Sequence, residues 1–484
     1  MPSFTRVGMR VGLLSLMGLG AACNWTKFAD DADRTPVRSI GQPSGFDSAD
    51  FGKSITPLAS GQGSAAAFIA TSINGTHLVL VKIDRSGKVS TFPASDSAVA
   101  AADGSAITSV VEVPGAGPTT LLLGSPVVRD EFFGRLYTYA LPDLAALGAA
   151  AGTVGTGDGL VSTFLVPALG SADSGLGRGV AVGRLAGVEA TPDYIVGSDN
   201  ELAVVIDGVA ANAAVGALNV GASPGPVCEV AYDMGQDNRY ALHRPMTTAR
   251  LWADPAGPTV QQLVVGSTHG ATAGTVSIMN VSAGPALNCL ASIKGDRPQF
   301  GHALASGDAD GDGTPDFLVV GAPGQAAFVY RGWAALPLGS VPAPIAITPT
   351  PAGVDFGFAV AALNVDGLPG DEVLVSDPRA TVGGKAGAGH VLVYKYNPAT
   401  ALMEQLGEYA DHSPDTDANF GYTLNVLNFC TADPAGLVAG GPCPAASVSR
   451  ILMIGAANET FVYFRVGDNI PLQAGQTVPD VRTF

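Results

Sequence analysis

Positive charge is scarce in this chain. Lys and Arg total 25 against 42 Asp and Glu, a formal net charge of −17. Once Arg6 and Arg10 of the leader described below are set aside, 23 bases against 42 acids leave −19. Nucleic-acid binding through phosphates needs the opposite sign, and attraction to anionic lipid is excluded on the same ground. An acidic surface suits divalent cations, cationic partners and solubility. Histidine is scarce too: His77, His243, His269, His302, His390 and His412 all stand singly. His-Glu-x-x-His and a phosphate-cradling glycine loop followed by lysine are both missing. That argues against catalysis by a linear motif; a site assembled from distant segments stays open. Trp25, Trp252 and Trp333 are too few and too dispersed to outline a stacking surface. Long amphipathic helical stretches are lacking, and Leu141 to Ala151 is the best short candidate.

What is present is turn chemistry and apolar strand. Glycine numbers 63 and proline 34, enough to punctuate dozens of turns, and a hydrophobic fraction of 47% supplies a large core. The segment FGHALASGDADGDGTPDFLVVGAP, Phe300 to Pro323, is the most informative. Asp308, Asp310, Asp312 and Asp316 fall at positions 1, 3, 5 and 9 of a short loop. Alternate spacing lets carboxylates converge when the backbone curls, and Gly311 and Gly313 permit the curl. Such an oxygen cage suits Ca²⁺ before Zn²⁺. An EF-hand would continue with Glu at position 12 and flanking helices. Position 12 here is Val319, and Phe317-Leu318-Val319-Val320 points to a strand.

Phe-Gly, then Gly-Asp-x-Asp-x-Asp-Gly-x-x-Asp, then an apolar strand ending Gly-Ala-Pro resembles the FG-GAP repeat. That repeat builds the β-propeller head of integrin α subunits and of many bacterial surface proteins. The resemblance implies Ca²⁺ held by Asp308, Asp310, Asp312, the carbonyl of Thr314, and Asp316. A shift of 56 positions lays Phe356-Gly357 on Phe300-Gly301. Asn364 and Asp366 then take the first two ligand positions and Glu372 the last. Leu368 replaces the third acid, which makes this second site weak or empty. Phe51-Gly52, Leu176-Gly177 and Phe420-Gly421 open further copies, and Leu78 to Val81 reads as a strand of the first. Strand-then-small-residue signatures recur in LLLGSP (Leu121 to Pro126), YIVGS (Tyr194 to Ser198) and LVVGS (Leu263 to Ser267). Seven units starting near 51, 105, 176, 247, 300, 356 and 420 have a mean period of roughly 60 residues, a propeller signature. The expected fold is all-β, a seven-bladed propeller over 51–470 with a tail at 471–484. A stack of β-sandwiches is the alternative.

The N-terminal end reads as a leader. Arg6 and Arg10, an apolar Val11 to Gly20 and the small Gly20-Ala21-Ala22 precede Cys23. This layout is a signal peptide over 1–22, and its lone cysteine resembles a bacterial lipoprotein signal with lipid on Cys23. The usual lipobox leucine lies one residue early, at Leu19. Residues 23–50 read as a tether, part of which is able to supply a closing strand to the last blade. Gly332 to Val354 is uncharged, but five prolines make it an extended loop or edge strand and not a span. The remaining cysteines, Cys228, Cys289, Cys430 and Cys443, are even in number, as expected of two disulfides in an exported chain. Of three connectivities, proximity favours Cys228–Cys289 with Cys430–Cys443.

Taken together, these features lead us to expect a non-enzymatic, Ca²⁺-binding propeller anchored in the bacterial envelope, at the outer membrane or cell surface. Its partner would be an extracellular or periplasmic protein or glycan. Membrane contact would run through the lipid only, with no nucleic acid. The alternatives are an enzyme acting on an extracellular polysaccharide and a passive envelope component.

Overall fold

The computed structural model describes the strands named below, residues 177, 185 and 228, and most of the second half. There it covers 245–252, 261–269, 272–281, 287–324, 326–349, 353–366, 368–411, 414–430, 448–457 and 459–466. The leader, Cys23, Leu141 to Ala151, Cys443 and the tail lie outside the described residues.

Among the described residues regular structure is β throughout, apart from one 3-10 turn at Trp333–Ala335. It forms seven antiparallel sheets of four strands. The first is β2 (Ile55–Leu58), β3 (Ala65–Thr71), β4 (Leu78–Asp84) and β5 (Val89–Pro93). The second is β6 (Ser109–Val113), β7 (Thr120–Ser125), β8 (Arg135–Ala140) and β9 (Leu160–Phe164). The third is β10 (Gly179–Gly183), β11 (Asp193–Gly197), β12 (Leu202–Val205) and β13 (Val215–Leu218). The fourth is β14 (Met246–Ala249), β15 (Gln262–His269), β16 (Thr272–Val281) and β17 (Leu287–Pro298). The fifth is β18 (Ala303–Gly307), β19 (Phe317–Ala322), β20 (Ala326–Tyr330) and β21 (Ile345–Ile347). The sixth is β22 (Val360–Leu363), β23 (Glu372–Asp377), β24 (His390–Asn397) and β25 (Leu402–Ala410). The seventh joins β26 (Thr423–Cys430), β27 (Val448–Gly455) and β28 (Glu459–Val466) to β1 (Val37–Gly41).

Each unit start read from the sequence falls within four residues of a first strand. Part of residues 23–50 supplies a closing strand to the last sheet, as that segment allowed: β1 pairs with β28, Val37 opposite Tyr463 and Gly41 opposite Glu459. Leu78 to Val81 is a strand, as read, and it is the third of its sheet, whereas the strand-then-small-residue segments of the next three units lie in second strands. The second strand of the first sheet is the alanine-rich β3. The proline-rich Gly332 to Val354 carries the 3-10 turn and edge strand β21, and no helix among the described residues is long and apolar enough to cross a membrane.

The cores lie between consecutive sheets. Along β19, Leu318, Val320 and Ala322 pack with Val264, Val276 and Ile278 of the fourth sheet. Phe317 and Val319 face the other way, onto Val360, Val373 and Val375 of the sixth. A strand alternates its side chains between two faces; with both faces covered, the alternation vanishes and the sequence reads as one apolar run. The third and fourth sheets share another such core, and the sixth and seventh a further one. First strands lie side by side in order: β2 beside β6, β6 beside β10, β10 beside β14, β14 beside β18, β18 beside β22, β22 beside β26, and β26 beside β2.

Successive units join through the Phe-Gly pair. Phe300, Phe356 and Phe420 are fully buried. The glycine after each donates its N–H to the far end of the second strand: Gly301 to Gly321 O at 3.0 Å, Gly357 to Ser376 O at 2.9 Å, Gly421 to Gly455 O at 3.0 Å. Gly177, in a copy that lost its Phe, donates likewise to Gly197 O at 3.0 Å. Gly301 has φ +87°, which few other residues adopt without strain. The glycine late in one second strand also faces the next unit's Phe-Gly, since a Cβ on Gly266 would lie 2.0 Å from Gly301 O. Cys228 and Cys289 are bonded as a disulfide, one of the two favoured pairings.

Candidate metal centre

The acidic segment is the connection between β18 and β19, as expected of a loop between strands. Its curl is built from carboxylates accepting backbone N–H groups. Asp308 Oδ1 accepts from Asp310 N at 3.1 Å and Gly311 N at 2.6 Å, and its Oδ2 from Gly313 N at 2.6 Å. Asp310 Oδ1 accepts from Asp312 N at 3.1 Å, and Asp312 Oδ1 from Thr314 N at 2.7 Å. Short side chains that bond the backbone two or three residues on favour turns over helix. The result is convergence: one carboxylate oxygen from each of Asp308, Asp310 and Asp312 lies within 4.8 Å of the others. Asp310 and Asp312 are exposed and Asp308 half-buried.

Asp316 stands apart from that trio. Its Oδ1 accepts from Ala309 N at 2.7 Å, and its own N–H donates to Gly307 O at 2.8 Å, closing the base of the loop. Burial chiefly, and then the charges of Asp310 and Asp308, push its carboxyl above the usual carboxylate range, against the Ala309 hydrogen bond. Thr314 is tied in through its N–H to Asp312. Neighbouring sheets brace the loop on both sides. Arg250 N donates to Pro315 O at 3.1 Å from the fourth, and Asp308 exchanges bonds of 3.0 and 2.7 Å with Asp371 of the sixth. Arg331 Nη2 reaches Ala309 O at 3.3 Å, with its guanidinium 4.1 Å from the centre of the Tyr396 ring.

The second predicted loop, between β22 and β23, is arranged differently. Asn364, Asp366 and Glu372 are all buried. The amide nitrogen of Asn364 donates to Leu368 O, and Glu372 Oε2 accepts from Val365 N at 2.8 Å. The outward oxygens, Asp366 Oδ2 and Glu372 Oε1, both accept from Lys395 Nζ, the second at 2.9 Å. Burial raises the Glu372 pKa to about 7 in spite of the Lys395 hydrogen bond. Burial also works against the Lys395 ammonium, but hydrogen bonds and charge from Asp366 and Glu372 together lift its pKa above the ordinary lysine value. The motif gives no sign of Lys395, which sits on β24, far from it in the chain. Its only signal is a lone charge in an apolar strand, HVLVYKYN.

Contacts are described for two of the histidines. His302 packs against Phe358 with ring centres 5.1 Å apart, and His390 Nδ1 lies 3.4 Å from Glu408. No curated protein matches the chain. The loop, its two flanking strands and the Phe-Gly and Gly-Ala-Pro ends fall together in one match to a known family: residues 300–332 match the FG-GAP repeat.

Proposed function

We propose that the seven sheets are the blades of one β-propeller, and that the protein is a non-enzymatic, Ca²⁺-binding interaction module of the bacterial envelope. The cyclic side-by-side order of the first strands and the repeated Phe-Gly joint support the propeller reading. The observation that carries calcium is the convergence of Asp308, Asp310 and Asp312 within 4.8 Å, in the loop of an FG-GAP repeat. Carboxylates held that close repel one another unless a cation lies between them. Hard oxygen donors without sulfur or imidazole suit Ca²⁺. The ion would be held by the trio, the Thr314 carbonyl and Asp316, and its work would be structural, pinning the β18–β19 connection. A propeller face would then present loops to an extracellular or periplasmic protein or glycan.

Calorimetric titration of the leader-free protein with Ca²⁺ is expected to show one equivalent and a raised melting temperature. Asp312→Ala is the cleaner variant, because Asp312 accepts one backbone N–H among the bonds above and Asp308 three. It should melt about 3 °C below the parent in calcium and close to it in chelator. Equal melting of both proteins in both conditions would sink the calcium reading.

Anchoring is proposed through lipid on Cys23. Cys23→Ser is expected to move the protein from the membrane fraction to the soluble exported fraction. Retention of the variant on membranes would rule out lipid at that residue.

A further inference from the structure

The connection at 364–372 shares its frame with the acidic loop one unit earlier, but it already contains a cation. Asp366 and Glu372 occupy the positions that Asp310 and Asp316 hold at 308–316. Both are more deeply buried than their counterparts, at 4% and 0% exposed. Two carboxylates so placed are costly unless a positive charge meets them. Lys395 Nζ meets both at once, bonding Asp366 Oδ2 and Glu372 Oε1.

We propose that the Lys395 ammonium is the built-in cation of the 364–372 loop, so that the sixth unit holds its β22–β23 connection without a metal. The contrast with 308–316 rests on reading that loop as a calcium site. The claim about Lys395 stands on its own geometry. β23 and β24 pair with Val373 opposite Tyr394, which sets Lys395 next to Glu372 across the ladder. In the fifth unit the base that follows β20, Arg331, gives its hydrogen bond to Ala309 O and lies over the Tyr396 ring, so that its charge reaches Asp316 only from a distance. The rest of the 364–372 loop is adjusted to a single positive charge. The third acid is replaced by Leu368, exposed at 48%, and the first by Asn364, whose amide nitrogen bonds the Leu368 carbonyl. Two carboxylates remain to face one ammonium. A tethered ammonium is always at hand, whereas a free ion binds only as far as its concentration allows.

Two measurements test this. In calcium titration, the wild type should take up one equivalent and the Asp310→Ala/Asp312→Ala variant none. An equivalent retained by that variant would mean that 364–372 takes calcium itself, and would overturn the proposal. In chelator, Lys395→Met should melt several degrees below the parent, and added calcium should not change that difference. The neutral triple variant Lys395→Met/Asp366→Asn/Glu372→Gln should recover most of the loss. If Lys395→Met melts like the parent, or if neutralising its partners recovers nothing, the lysine is not acting as the loop's cation. Should Lys395→Met not fold at all, the triple variant decides: folding with near-parental melting supports the proposal, and failure to fold overturns it. A wild type that binds no calcium would end the reading of 308–316 and leave the chelator result for Lys395 intact.

Discussion

Replacing Cys228 and Cys289 together by alanine is expected to destabilise the protein by about 4 kcal/mol. The bridge spans 61 positions of sequence. Cross-linking over that span removes unfolded-state freedom, and the loss grows slowly with loop length. The location adds to the effect. Cys228 is buried with Leu263, Val265, Met279 and Leu287 in the core shared by the third and fourth sheets. Cys289 lies on β17, the last strand of the fourth sheet, so the bond ties the approach to that sheet to its far edge. Alanine avoids leaving a buried hydroxyl without a partner. In a chain this long the unfolding entropy is large, so the expected fall in melting temperature is only about 4 °C. Reductant should bring the wild type down by at least the same amount. A further shift that reductant causes in the variant would report a second bridge, Cys430–Cys443. A variant that melts with the oxidised wild type would show that the bond contributes nothing.

Alanine at Gly321 is expected to cost about 3 kcal/mol. A Cβ there would lie 2.2 Å from Gly357 O and 3.1 Å from Ala303 Cβ. The first contact is with backbone, which no rotamer change relieves, so the fifth and sixth units must move apart by about 1 Å at a close-packed joint. Relief by local shift is resisted because Gly321 O also accepts the Gly301 N–H at 3.0 Å. Gly41→Ala is the control: nothing lies within 4 Å of its added Cβ, and its effect should stay within about 0.5 kcal/mol. Urea unfolding of the two variants side by side makes the comparison. Equal midpoints would mean that the Gly321–Gly357 approach is not a constraint on the fold.

This second prediction gives physical content to what was legible in the sequence. The Phe-Gly word and the glycine late in the second strand recur because each codes one side of a joint: a buried ring, a glycine at positive φ, and a glycine that another backbone touches. Constraints on single residues survive as readable letters. The acid spacing at 308–316 was readable for the same reason, because each carboxylate bonds an N–H only two to five residues away. Asp316 was legible as an acid, but its duty to Ala309 N was not. Less was legible where the partner is remote. β1 is five residues, VRSIG, and its place beside β28 is set by an edge at the other end of the chain. β3 is largely alanine, so its strand character lies in its two neighbours and not in its own letters. Lys395 was invisible because motif alignment compares one loop with another, and the residue that answers the second loop stands on a different strand.

The pairing of β1 with β28 also bears on how the protein comes to exist. The first strand made waits for the last: Val37 meets Tyr463 only after nearly the whole chain has been synthesised. Contacts this distant form slowly, although the equilibrium cost of closing so long a loop rises only with the logarithm of its length. Until then β28 presents an unpaired edge, the kind that recruits strands from other molecules. Final assembly therefore belongs at the end of synthesis or after it. A chain cut short before Glu459 would strand β1 without its partner, so a lesion at the C-terminal end would be felt as disorder at the N-terminal one.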